Sequence, residues 1–135
     1  KFVTAHSSVP IMADESCWDS KDALRLVSQR AVDLINIKLM KCGGLYEAKK
    51  ITAIAEAAGV EVMLGCMAEE SGIGVTAAAS LGAALKNITR ADLDATFSLK
   101  ELPYEGGFTV KDTRHLILSS DPGLGIKCLK KEMLA

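Results

Sequence analysis

The segment Asp33-Leu34-Ile35-Asn36-Ile37-Lys38-Leu39-Met40-Lys41 constrains this chain more than any other stretch. It is β-branched and apolar and runs into Gly43-Gly44, so it reads as a buried strand stopped by a turn. Alternation places Leu34, Asn36, Lys38 and Met40 on one face and Ile35, Ile37 and Leu39 on the other. A lysine and an asparagine among apolar neighbours in a central strand need a physical reason, because an unpaired buried charge is costly. Two readings fit Lys38. In one it sits at the strand end and extends its amine to water. In the other a partly desolvated ammonium is tuned to exchange a proton.

The same kind of unit recurs along the chain. Residues 1–8 read as the tail of a preceding element, and 9–13 as a short strand ended by Asp14-Glu15-Ser16. Asp19 or Ser20 can cap a helix whose apolar positions Ala23, Leu24, Leu26 and Val27 have helical spacing, ending near Arg30. The central strand spans 34–39. A helix follows over 45–58, with Ala48, Ile51, Ala55 and Ala58 on one stripe and Gly59 as its stop. A third strand, 60–64, runs into Gly65-Cys66-Met67, and a helix over 71–85 is rich enough in alanine and glycine to lie close against a sheet. A turn over 87–90 and a fourth strand over 91–96 complete the series. Strand and helix alternate in this way when parallel strands are joined by helical crossovers.

The pattern changes after residue 97. Gly106 to Val110 and His115 to Leu118 have the form of a hairpin, Asp121-Pro122-Gly123-Leu124-Gly125 is a turn, and 127–134 is a polar-apolar tail. The expected division is therefore a unit over 1–97, with four parallel strands and three crossover helices, and a separate C-terminal segment over 98–135.

A chain of 135 residues can hold one domain with a real core, and 49% apolar against 4% aromatic residues makes that core aliphatic and alanine-rich. A net charge of −1 with no basic block argues against nucleic acid or an anionic membrane as partner. The longest apolar stretch, 72–85, is interrupted by Thr76 and Ser80 and is too short to span a bilayer. Cys17, Cys42, Cys66 and Cys128 lack metal-ligand spacing, so free thiols in a reducing cytoplasm are expected, with disulfides the alternative that an even count allows. No signal peptide is visible, and a first residue of Lys1 rather than Met points to processing or a fragment.

Polar residues gather at the expected strand ends. Asp14 and Glu15 follow the first strand, Lys38 lies near the end of the second, Cys66 and Met67 follow the third, and Asp92 and Asp94 share one face of the fourth. In parallel α/β folds the carboxyl ends of strands open onto one mouth, where sites are built. Each residue also has a plainer reading. Asp14 or Ser16 can start a helix or turn, Asp92 and Asp94 can be solvated beside Arg90, and Cys66 can be an inert buried thiol. Lys41, Lys49 and Lys50 read as solvated helix-face charges, Glu69-Glu70 as the acidic start of a helix, and His6 and His115 have no assigned role.

Pro10-Ile11-Met12-Ala13-Asp14-Glu15-Ser16 and Asp33-Leu34-Ile35-Asn36-Ile37-Lys38, with Lys38 placed 24 residues after Asp14, resemble the enolase superfamily. Within it the chain is similar to the muconate-lactonizing subgroup, and specifically to dipeptide epimerases of the L-Ala-D/L-Glu type. The resemblance extends from about residue 9 to residue 127, through Gly65-Cys66-Met67, Asn87-Ile88-Thr89-Arg90, Asp92-Leu93-Asp94 and Pro122-Gly123-Leu124-Gly125-Ile126.

The resemblance implies an α/β fold, the C-terminal half of a (β/α)7β TIM-like barrel, whose C-terminal segment packs on a capping domain. It implies Asp14 as the third carboxylate ligand of an essential Mg²⁺, and Lys38 as one of two acid/base lysines flanking the substrate α-carbon. Asp92 and Asp94 would grip the α-ammonium of a dipeptide substrate, and Cys66 would line its pocket. The implied reaction is epimerisation at the α-carbon of a dipeptide such as L-Ala-L-Glu, by lysine proton abstraction through an enediolate.

A complete barrel needs roughly 250 residues. The first two metal carboxylates and a partner lysine in a Lys-x-Lys motif are expected upstream and are not in this sequence. The chain alone is therefore expected to be inactive, and to form a homo-oligomer or associate with an N-terminal half. The alternatives are a muconate cycloisomerase or o-succinylbenzoate synthase-like enzyme, whose substrates lack the ammonium that Asp92 and Asp94 would hold, and a non-catalytic half-barrel association module.

Overall fold

The structure, a computed structural model, describes residues 1–130. Its centre is a parallel sheet of four strands in the order β1-β2-β3-β4: β1 (Met12–Ala13), β2 (Leu34–Ile37), β3 (Glu61–Leu64) and β4 (Ile88–Ala91). Before β1 lies a short exposed helix, α1 (Phe2–His6). The crossovers are α2 (Ser20–Ser28), α4 (Leu45–Ala57) and α5 (Gly72–Ala84), with a single-turn helix, α3 (Leu39–Cys42), between β2 and α4.

Local chemistry sets these boundaries. The Asp19 carboxylate accepts the Asp22 N–H at 2.9 Å and caps α2. Gly59, at φ +70°, takes the left-handed conformation that ends α4. Helix α5 lies close on the sheet, since a Cβ on Gly82 would come within 3.0 Å of the Leu64 side chain.

The buried core joins Ile35, Ile37, Val62 and Leu64 of the sheet to Ala23 and Leu26 of α2, Ala48, Ile51 and Ala55 of α4, and Val75, Ala78 and Leu81 of α5. Leu34 and Asn36, of opposite parity on β2, are also buried but lie outside that cluster. The odd-numbered side chains of β2 therefore serve the helix layer, and the even-numbered ones face the other side of the sheet.

Several boundaries differ from the sequence reading. The first strand is two residues long rather than five. Pro10 has no N–H to give a ladder, and the Ile11 N–H is taken by the Asp33 side chain at 2.7 Å. The central strand stops at Ile37, because Lys38 begins a helical turn that Gly43 closes at φ +83°. Met40 consequently leaves the strand face and is exposed, and Ala58 and Leu24 are also exposed rather than on core stripes.

The fourth strand comes earlier than expected, at Ile88–Ala91, over residues whose composition suggests a turn. Asn87 anchors it by donating to the Val60 carbonyl at 3.0 Å and accepting from the Val62 N–H at 3.0 Å. Asp92 and Asp94 thus follow the strand instead of sharing its face, and Ala95–Ser98 is a 3-10 turn.

Beyond residue 97 the hairpin is present as β6 (Phe108–Lys111) and β7 (His115–Leu118), paired antiparallel. A second antiparallel pair joins β5 (Tyr104–Gly106) to β8 (Ile126–Leu129) within the expected tail. Residues 131–134 of that tail lie outside the described residues.

All four cysteines are free, with Cys17 and Cys42 buried and Cys128 exposed. Burial pushes the Cys17 thiol up to about 11 and raises that of Cys42. Titration of the folded chain with a thiol reagent at pH 8 is expected to label Cys128 within minutes and to leave Cys17 and Cys42 unlabelled until denaturant is added. Equal labelling rates at all three positions would contradict this packing.

Candidate active site

Because the four strands are parallel, their carboxyl ends lie on one rim. The last register pairs are Ala13↔Ile35 and Ile37↔Leu64, and the Gly65 N–H continues the ladder to the Ile37 carbonyl at 2.8 Å. Asp14 therefore leaves β1 beside Asn36 of β2, and Lys38 lies across from Gly65. The Asp92 N–H bonds the Leu64 carbonyl at 2.8 Å, which sets Asp92 on the same rim.

Lys38 and Asp14 meet there. The Lys38 Nζ is 2.8 Å from Asp14 Oδ2 and 3.1 Å from Glu15 Oε1. The Asp14 contact is the main reason the Lys38 ammonium is held above its ordinary value; burial opposes it and Glu15 adds to it. Burial pulls the Asp14 carboxyl upward, but hydrogen bonds from Lys38 and Lys41 outweigh that effect and hold it below the usual carboxylate value.

Lys41 corrects an expectation. Read as a solvated helix-face charge, it is buried, with a side chain only 2% exposed against 15% for Lys38. Its Nζ donates to Asp14 Oδ1 at 2.7 Å, to the Asp14 carbonyl at 2.5 Å and to the Asn36 carbonyl at 3.3 Å. The reason is α3: one helical turn after Lys38 carries Lys41 back over the ends of β1 and β2. The available signal was the three-residue spacing of Lys38 and Lys41 before Gly43-Gly44, which sets both lysines on one side of a turn. Glu15, expected at the rim from its place after the first strand, is the second carboxylate on Lys38.

Asn36 is buried, and its side chain fills the space that a Cβ on Gly65 would take, 2.7 Å from Asn36 Oδ1. The glycine is what lets this amide sit beside the Lys38 position. Glu70, read as part of an acidic helix start, is also buried; it folds back to accept the Met67 N–H at 2.9 Å, while Ser71 caps α5.

The third and fourth strand ends form a second group. Cys66 Sγ lies 3.3 Å from the Asp92 carbonyl and 3.7 Å from Asp94 Oδ1, and burial raises its thiol above the ordinary value. Cys66, Met67, Glu69, Asp94, Ala95 and Ser98 line an open recess. A larger groove runs along β4 past Asp92, Asp94 and Phe97 to the β6–β7 hairpin, and neither Asp14 nor Lys38 borders it. The rim thus carries an ammonium-carboxylate pair at one end and exposed Asp92 and Asp94 at the other. Proton transfer at a substrate and recognition of a cationic group are the chemistries such a rim can support.

Comparison with known proteins is consistent along nearly the whole chain. The hydrophobic dipeptide epimerase of Enterococcus faecalis is 60% identical over 126 residues, which is 93% of this chain and 36% of that protein. The L-Ala-D/L-Glu epimerase of Bacillus subtilis is 48% identical over 126 residues, covering 93% of this chain and 34% of its own length. A crystal structure of a dipeptide epimerase from Enterococcus faecalis, complexed with Mg and the dipeptide L-Leu-L-Tyr, superposes with a TM-score of 0.91 at 58% identity, covering 95% of this chain and 36% of that one.

The chain therefore spans about a third of the length of the relatives it matches. Its fold is α/β and corresponds to the C-terminal barrel half of those enzymes. The Enolase C-terminal domain-like family model matches residues 1–132, and the chain belongs to that family.

Proposed function

We propose that this chain is the C-terminal part of a Mg²⁺-dependent dipeptide epimerase, and that its four strand ends supply one side of the active site. The observation that carries the reading is the 2.8 Å contact between Lys38 and Asp14, two residues from separate strands that open onto the same rim. Lys38 is the acid/base group for one face of the substrate α-carbon. Asp92 and Asp94 hold the α-ammonium of the dipeptide, and Cys66 lines the pocket beside them.

The donor set fits part of a Mg²⁺ site. Asp14 offers a hard carboxylate oxygen, Oδ2, at the rim, whereas no group of three His, Cys, Asp or Glu able to hold a metal ion occurs among the described residues. Mg²⁺ favours an octahedral shell of oxygens, so Asp14 is one ligand and the others come from outside these residues. When bound, the ion supplies positive charge that stabilises a substrate carboxylate as its α-proton is lost.

Lys38 must have a neutral amine to remove that proton. In this chain its contacts with Asp14 and Glu15 favour the ammonium. Glu15 is exposed and can turn away into water at little cost.

Among the described residues, edge strands β1 and β4 leave open ladders on both sides of the sheet. We assign them to further barrel strands, from an N-terminal half or from another copy, and assign residues 98–135 to packing on a capping domain. We place the protein in the cytoplasm, with its four cysteines as free thiols; no helix among the described residues is long and apolar enough to cross a membrane.

The test is solvent-deuterium incorporation at the α-carbon of L-Ala-L-Glu and of hydrophobic dipeptides, followed by proton NMR with Mg²⁺. The complete protein is expected to exchange and epimerise at least one of them, and the isolated chain none. Exchange by the isolated chain, or a complete protein inert toward every dipeptide offered, would count against the reading.

A further inference from the structure

Lys38 and Lys41 grip the same carboxylate from two sides, one ammonium on each oxygen: 2.8 Å to Oδ2 and 2.7 Å to Oδ1. What else each holds is different. The second partner of Lys38 is Glu15, whose side chain is 67% exposed, so that contact can be traded for water. Lys41 has all of its donors committed, since an ammonium carries three N–H groups and three acceptors surround it. Two of those acceptors are main-chain carbonyls, of Asp14 and of Asn36, just past the last ladder pair of β1 and β2.

A buried cation with every donor engaged has nowhere else to go, because breaking one bond leaves charge unpaired away from water. Lys41 is thus a fixed partner of Asp14 and Lys38 an exchangeable one. The same nitrogen also holds the backbone of Asp14, so the position of the residue and the direction of its carboxylate are set from a single point.

We propose that Lys41 is a positioning residue that occupies Asp14 Oδ1 and presents Oδ2 alone to the rim, for the metal ion. This rests on the reading of Asp14 as a Mg²⁺ ligand. Lys41 never touches the ion, yet the affinity for the ion depends on it. The sign of that dependence separates positioning from simple electrostatics. Removing a positive charge next to a cation site should strengthen cation binding by Coulomb's law. Losing the group that aims the ligand should weaken it, by about 10–100-fold for an outer-shell partner.

The experiment is calorimetric titration of the complete protein with MgCl₂ in the absence of substrate, comparing the unmodified protein with Lys41→Met and Lys41→Gln. The expected result is a Mg²⁺ Kd raised about 10–100-fold in Lys41→Met, and by less in Lys41→Gln, which keeps an N–H for Oδ1. An unchanged or lower Kd in a folded Lys41→Met protein overturns the inference.

Should Lys41→Met fail to fold, the Mg²⁺-loaded structure of the unmodified protein decides. Lys41 Nζ on Oδ1 with the ion on Oδ2 supports the inference, and an ion taking both oxygens with Lys41 displaced overturns it. Absence of Mg²⁺ from Asp14 in the unmodified protein overturns the reading of the site itself, and the inference with it.

Discussion

Replacing Lys38 by methionine in the complete protein is expected to lower kcat for dipeptide epimerisation by about 10²–10⁴-fold, the usual contribution of a positioned acid/base group. That range corresponds to about 3–5 kcal/mol of transition-state stabilisation. Methionine keeps much of the aliphatic stem and removes only the group that carries the proton. The Asp14 carboxylate loses one ammonium but keeps Lys41 on its other oxygen, so the rim should hold its shape. For that reason the loss should fall on kcat while KM changes by only a few-fold. Deuterium incorporation at the α-carbon should fall with epimerisation if Lys38 serves the face from which the offered isomer loses its proton. A Lys38→Met protein retaining kcat within about tenfold of the original would remove Lys38 from the chemistry, since that lies below the range for such a group.

How much of this arrangement can be read from the sequence depends on how local the cause is. The three crossover helices are legible because their signals lie within a few residues: Asp19 before α2, Gly59 after α4, and the acidic Glu69-Glu70 ahead of the alanine-rich run of α5. The parallel order follows from the alternation of those helices with apolar runs. The central strand is legible in its apolar core but not in its end. Its run Ile37-Lys38-Leu39-Met40 keeps strand-like composition while the backbone has already turned into α3. Gly43-Gly44 marks the stop of that turn, and from sequence it passes equally well as the stop of the strand.

The burial of Lys41 is legible only in part: its spacing from Lys38 sets both lysines on one side of a turn, but not what they meet there. Its partners are the Asp14 carboxylate and carbonyl, 27 residues earlier, and a carbonyl at the end of β2. Nothing in the composition around Lys41 distinguishes a cation that finds such acceptors from one that faces water. The fourth strand starts earlier than its composition suggests, because Asn87-Ile88-Thr89-Arg90 has the polar make-up of a turn. Pairing decides it instead: Val62↔Ile88 and Leu64↔Ala91 align with β3, and Arg90 forms an ion pair with Glu61 across the same strands.

The largest stability effect should come from Ile35→Ala, with an expected loss of about 2–5 kcal/mol. Ile35 has no exposed surface; it is paired with Ala13 on one side and Val62 on the other, and it faces the helix layer. Truncation removes buried methyl and methylene groups from a position flanked by strands on both sides, where the backbone has little room to collapse. A single domain typically holds only 5–15 kcal/mol in total, so the loss is a large share of what keeps the sheet folded. The control is Met40→Ala, three residues past the end of the same strand and 65% exposed, which should stay within about 0.5 kcal/mol. Urea unfolding followed by circular dichroism reads both. A markedly lower midpoint is expected for Ile35→Ala, with little change for Met40→Ala. Equal shifts for the two variants would mean that the run from Asp33 to Lys41 is packed as one continuous strand. In that case Lys41 could not reach Asp14, because it is the helical turn of α3 that carries Lys41 inward and leaves Met40 exposed.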